Sequence, residues 1–163
     1  MTPDLLPEVL ADHLDRLYRA AWAMCGSRED AEDLVQETFA RVLAKRRTIA
    51  TDEDALPYLL RVLRNTFVSS LRTRSRRPKT APIEDAEPRL AASEAASPTA
   101  VLAAREVFAA IAALPDDQRD VVAAVDVAGL TYAEAAETLG VPTGTVMSRL
   151  FRGRARVADA VGA

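Results

Sequence analysis

The sequence predicts an all-α protein: two small helical domains joined by a flexible linker, the C-terminal one containing a helix-turn-helix. Three observations carry that expectation. Ala and Leu dominate the apolar residues while Gly is sparse, which favours helices over sheets. Apolar residues recur at i, i+3 and i+4 through several stretches, the repeat of a helix with one buried face. Between those stretches, "KTAPIEDAEPRLAASEAASPT" (79–99) is rich in Ala, Pro, Ser and acid with little to bury, and reads as a tether. The expected boundaries are a first domain over 8–78, a linker over 79–98 and a second domain over 99–161.

In the first domain, a helix from about Asp12 to Met24 places Leu14, Leu17, Tyr18, Ala21 and Trp22 on one side. A second, over 29–46, buries Ala31, Leu34, Val35, Phe39, Val42 and Leu43. After the turn-forming "TIATDEDALP" (48–57), a third begins near Pro57, since proline is tolerated where the backbone N–H has no helical partner. Leu59, Leu60, Leu63, Phe67 and Leu71 give that helix its buried face, and Pro78 ends it. Three such faces can close a small bundle.

In the second domain, "VFAAIAALPDDQRDVVAAVDVAG" reads as two helices broken at Leu114–Pro115. "TYAE" (131–134) is a capping box, Thr131 accepting from the N–H at 134 while Glu134 reaches back. The short helix that follows is expected to bury Tyr132, Ala135, Ala136 and Leu139. Gly140 supplies a turn and Thr143 a cap for the next helix, which completes a helix-turn-helix. Wound at about 100° per residue, that last helix turns Val146, Leu150, Gly153 and Val157 inward. Thr145, Ser148, Arg149, Arg152 and Arg156 lie roughly opposite, flanked by Met147 and Phe151. Hydroxyls and arginines on such a helix reach base edges and phosphates, and an apolar flank can meet thymine methyls.

The formal net charge of −3 argues against nucleic acid only until the signs are located. Residues 29–38 hold five acids and no base; residues 58–79 hold seven bases and no acid. Local patches set the field a partner feels. On the third helix Arg61, Asn65, Val68, Arg72 and Arg76 share a face, extended by Arg74, Arg77 and Lys79. Such a stripe suits a phosphate backbone with one amide for a base, and Tyr58 could stack on an unpaired base. A solvated arginine face is the other reading. On the second helix the outer face is Asp30, Asp33, Gln36, Glu37, Ala40 and Ala44. Acids near a helix N-terminus complement its dipole. The small residues further along also suit a docked helix that brings Arg or Lys, and the pattern leaves both readings open.

Cys25 and His13 are each the only residue of their kind, so no internal disulfide and no zinc site can be assembled. Both read as packing or surface residues. No nucleophile, base and orienting group converge on a motif, so no enzyme and no cofactor are expected. The start "MTPDLLPEVL" has neither a basic n-region nor a long apolar run, and the expectation is a cytoplasmic protein without membrane insertion.

Taken together, "DAEDLVQETFARVLAKR", "YLLRVLRNTFVSSLRTRSRRP", a linker, and "LTYAEAAETLGVPTGTVMSRLFRGRARV" closely resemble the extracytoplasmic-function sigma factors of bacterial RNA polymerase. The resemblance implies two helical domains, region 2 and region 4. It implies docking of Asp30, Asp33, Gln36 and Glu37 on the clamp helices of the polymerase β′ subunit, and of apolar residues between Val107 and Val127 on the β flap. It implies reading and opening of the −10 promoter element by residues 58–77, with Asn65 on a base, Tyr58 at the melted edge and Arg61, Arg72, Arg76 and Arg77 on phosphates. The −35 element would be read through Thr145, Met147, Ser148, Arg149, Phe151 and Arg152. Loop 48–57 would hold an extruded −10 base, and an anti-sigma factor is implied as a further partner. Two positions depart from the family pattern: Tyr58 stands where Trp is common, and Met147 where Lys or Arg is usual. Two rivals remain: a helix-turn-helix regulator acting without polymerase, and a sigma-like interaction module with weak DNA affinity.

Overall fold

The computed structural model describes residues 7–45, 55–75 and 97–162. Among them every regular element is a helix. α1 (Pro7–Asp12) and α2 (Leu14–Cys25) are separated at His13, and α2 ends at Gly26, whose φ of 74° lets its N–H close on the Trp22 carbonyl at 2.8 Å. α3 (Arg28–Lys45) and α4 (Ala55–Ser75) pack against α2 and each other. The shared core is Leu17, Ala21, Trp22, Leu34, Val35, Val42, Leu59, Leu60, Leu63 and Phe67. Two threonines are also fully buried there. Thr38 and Thr66 donate to the carbonyls of Leu34 and Val62, each at 2.7 Å, so neither hydroxyl is left unsatisfied.

Several expectations need correction. α4 starts at Ala55, not near Pro57, because Ala55 and Leu56 are buried and draw the chain into the helix early. Leu43 and Leu71, expected in the core, are exposed. Leu43 falls in the last turn of α3, and Leu71 lines an open cleft with Met24, Leu34 and Ala112. The linker through residue 96 and most of loop 48–57 lie outside the described residues.

In the second half, α5 (Pro98–Ala112) opens with Ser97 Oγ accepting from the Ala100 N–H at 3.2 Å and Pro98 in its first turn. α6 (Asp116–Val122) continues as a π-helical turn over Ala123–Val127. α7 (Tyr132–Leu139) carries the expected capping box, both bonds at 3.1 Å. Gly140 turns the chain at φ 68°, and α8 (Thr143–Val161) follows. Here Thr143 is not a cap: Pro142 occupies that position and offers no side-chain bond. Tyr132 is exposed instead of buried, and Thr138 takes the inward place beside Ala135 and Ala136. α8 presses Val146, Leu150 and Gly153 onto the core. A Cβ at Gly153 would sit 2.8 Å from Val122 Cγ2, so glycine is what allows α8 to lie this close to α6.

The halves are in contact. α2 packs on α5 and on the π-helical turn, and α4 packs on α7. Trp22 meets Phe108 edge-on at 4.4 Å between ring centroids, and a Cβ at Gly26 would lie 3.1 Å from that of Ala112.

Candidate DNA-reading and polymerase-docking surfaces

The acidic side of α3 is a real surface. Asp33, Gln36, Glu37, Ala40 and Ala44 are exposed, and Asp30 is half-buried at the first turn, its N–H 3.4 Å from Ser27 Oγ. The face is less purely anionic than its sequence suggests, because Arg41 donates to Glu37 Oε1 at 2.8 Å, one turn on. Both partners are about half exposed, so the pair adds only a few tenths of a kcal/mol. A basic partner can displace it.

On α4, Arg61, Asn65 and Arg72 are exposed on one side, with Val68 half-buried between them. Tyr58 is half-buried and packs against the core, whereas Phe67 is fully a core residue. Arg76 and Arg77 lie outside the described residues. Arg61 is already engaged: its Nη2 donates to the Glu137 carbonyl of α7 at 3.1 Å.

On α8, Ser148, Arg152, Arg156, Met147 and Phe151 are exposed, Phe151 to 77%. Ser148 Oγ donates to the Thr145 carbonyl at 3.1 Å, and Arg152 Nε points at the Ser148 carbonyl at 3.4 Å. Arg149 departs from the expected outward stripe. It is only 27% exposed and pairs with Asp117 of α6 at 3.5 Å. Its guanidinium helps fix α8 to the domain, and a role at DNA would require leaving that carboxylate. Thr145 is half-buried. Tyr132, Met147, Phe151 and Ala155 rim a concavity of about 510 Å³, an apolar patch beside the arginines.

Two charge clusters went unread in the sequence. Arg154 grips Asp126 with both forks, at 2.6 and 2.9 Å, and that hydrogen bonding raises its pKa above the ordinary arginine value. The pair ties α8 to the π-helical turn. More consequentially, Arg119 is 6% exposed, pairs with Asp116 at 2.9 Å and Asp120 at 3.3 Å, and lies 4.7 Å over the ring of Phe67. Asp120, 7% exposed, also takes Arg64 Nε of α4 at 3.1 Å. In the "DDQRD" run the Asp116–Arg119 spacing of three signals a pair on one helix, but the burial of Arg119 over Phe67 comes from α4 and left no local signal.

A separate groove of about 420 Å³ runs between Arg19 of α2 and the second half, lined by Val107, Phe108, Ile111, Val127 and Val157. No cluster able to hold a metal ion occurs among the described residues, and none of their helices is long and apolar enough to cross a membrane.

These features define a two-domain helical protein that carries a helix-turn-helix in one half and an arginine-rich helix in the other. The model of sigma-70 region 2 matches residues 9–77, and that of sigma-70 region 4 matches residues 104–157. The chain is 36% identical over 158 residues to the ECF RNA polymerase sigma factor SigE of Mycolicibacterium smegmatis, covering 93% of this chain and 60% of that protein. It is 34% identical over 159 residues to EcfG of Rhodopseudomonas palustris, covering 96% and 84%. The sigma factor RpoE of Bartonella quintana, solved in complex with the anti-sigma factor NepR, superposes with a TM-score of 0.66 at 25% identity, over 96% of this chain and 93% of that one. CnrH, solved with the cytosolic domain of CnrY, has the same fold, with a TM-score of 0.67 at 22% identity over 95% and 86%. The chain belongs to the extracytoplasmic-function sigma factors, which direct RNA polymerase to begin transcription at selected promoters.

Proposed function

We propose that this sigma factor divides its work among three surfaces, with region 2 over 8–78 and region 4 over 99–161. Asp30, Asp33, Gln36 and Glu37 dock on the β′ clamp helices of core RNA polymerase, where Ala40 and Ala44 let a partner helix lie close. The face of α4 reads and opens the −10 element: Asn65 on a base, Arg61 and Arg72 (with Arg76 and Arg77 further along) on phosphates, and Tyr58 at the melted edge. α8 reads the −35 element through Ser148 and Arg152, with Met147 and Phe151 toward thymine methyls; Thr145 and Arg149 sit at the margin. The groove along Val107, Phe108, Ile111 and Val127 takes the β flap, and the same apolar character suits an anti-sigma factor. The protein acts in the cytoplasm.

The observation that carries this reading is the exposure, in one chain, of an amide-centred arginine face on α4 and a hydroxyl-arginine face on α8. A duplex-only regulator needs one such helix; a promoter opener needs two of different chemistry. The mechanism is binding, not bond chemistry. Taking a base out of the stack costs a few kcal/mol. Contacts made only to the opened strand offset that cost, and each good base contact contributes about 1–3 kcal/mol of discrimination. The test is abortive transcription by core polymerase, with and without this protein, on pooled genomic fragments. Initiation dependent on the protein, from a shared two-block sequence, is expected. Binding to core with no initiation would instead favour a sigma-like decoy, and no binding to core would favour a regulator acting alone.

A further inference from the structure

We propose that the groove between α2 and the second half is a binding site for a small anionic amphiphile, one apolar chain ending in one negative group, of which a free fatty acid is the simplest. Its walls are apolar: Val107, Phe108 and Ile111 from α5, Val127 from the π-helical turn and Val157 from α8. All but Ile111 are only partly buried, so the folded chain leaves apolar surface uncovered along one channel. The space is about 420 Å³, within the range of sites that enclose small molecules. Three charged side chains border it. Arg154 and Asp126 hold each other through two bonds, at 2.6 and 2.9 Å, and cancel. Arg19, exposed on α2, pairs with no described residue. The groove thus presents one unspent cation beside an apolar channel. A ligand with one tail and one negative charge satisfies both.

The backbone gives independent support. π-Helical turns inside helices are rare and frequently mark functional sites. Here the turn closes with the Ala128 N–H on the Ala123 carbonyl at 2.9 Å, and two of its residues, Asp126 and Val127, line the groove. Affinity for such a ligand should come mainly from its tail, up to about fourfold for each methylene buried, with Arg19 selecting the sign of the head group. The β flap is proposed to dock on the same walls, so a bound chain and the flap exclude one another. That consequence rests on the flap reading, whereas the binding site itself does not.

The sole tryptophan reports on the site, because Trp22 meets Phe108 edge-on at 4.4 Å between ring centroids and Phe108 is a wall of the groove. The full-length chain would be titrated with decanoate, below the concentration at which it forms micelles, while Trp22 fluorescence is followed. Octanoate and decyltrimethylammonium would be run in parallel. The expected result is a saturable change with decanoate, weaker binding of octanoate by up to about fourfold per methylene removed, and no binding of the ammonium. Arg19→Gln should bind decanoate about two- to fivefold more weakly, the worth of an exposed ion pair. Val107→Asp sets a carboxylate in the channel and should abolish binding with helical content kept. Equal responses to decanoate and the ammonium, or wild-type affinity in Arg19→Gln, would show unselective adsorption and overturn the proposal. So would the absence of any saturable change. In abortive transcription, decanoate should suppress initiation that depends on this protein, with Arg19→Gln less sensitive. Saturable, Arg19-dependent binding without suppression upholds the site and removes the flap from the groove.

Discussion

Replacing Gly153 by alanine sets two effects of known sign against each other. Alanine in a helix interior is favoured over glycine by about 1 kcal/mol. Against that, the new methyl lands 2.8 Å from Val122 Cγ2, with Gln118 Cβ at 3.5 Å and its carbonyl oxygen at 3.6 Å closing the other side. Val122 is buried and β-branched, so its methyl cannot swing away freely. Overpacking of this kind costs about 1–3 kcal/mol. Gly153→Ala should therefore destabilise the protein by ~1 kcal/mol net. In a Val122→Ala background the obstructing methyl is gone, and the same change should become stabilising by ~1 kcal/mol, since only the helix preference and some cavity filling remain. The coupling expected from this cycle is ~2 kcal/mol, within the range for contacting residues. Urea unfolding of the four proteins measures it, with the slope checked for constancy. Additivity within about 0.5 kcal/mol would refute the claim that glycine is there to admit α6.

Three further outcomes are expected. Asp33→Arg with Glu37→Arg should abolish assembly with core polymerase in a native-gel shift while leaving the helical content unchanged, since both side chains are exposed and a second guanidinium one turn before Arg41 costs only tenths of a kcal/mol in repulsion. Asn65→Ala should keep core binding but weaken promoter opening by the value of one base contact, ~1–3 kcal/mol or roughly 5- to 150-fold, read by permanganate reactivity of unstacked thymines. The pKa of Tyr18 is raised, chiefly by burial; nearby Arg28 opposes this shift and Glu32 adds to it. A raised folded-state pKa gives stability present below the unfolded value of ~10 and lost as pH climbs through the folded one. Tyr18→Phe should thus flatten the fall in stability above pH ~10, followed by thermal melts.

Local rules carried most of the fold because they act within one helix. The apolar repeat of 31–42, the Thr131–Glu134 box and Gly140 each need only neighbours three or four residues away, and each stands where the sequence put it. The misplaced residues share another cause. Leu43, Leu71 and Tyr132 lie on the expected stripe, yet exposure depends on how closely other helices pack over each position, which periodicity cannot register. The same limit governs the site. The faces of α3 and α4 were legible because a patch of one charge is a property of one helix. Arg149 was misread because its partner, Asp117, comes from another helix. Arg64, Arg119 and Asp120 were missed for a stronger version of that reason. The Arg64–Asp120 pairing joins positions 56 residues apart across the boundary between two domains that the sequence presents as independent. An arginine at position 64 looks like one more member of a basic stripe until the carboxylate it meets is known. Where one residue type serves both to hold DNA and to hold another domain, composition and spacing cannot separate the uses. The distinction lies in the partner, and so it becomes visible only when both halves are folded against each other.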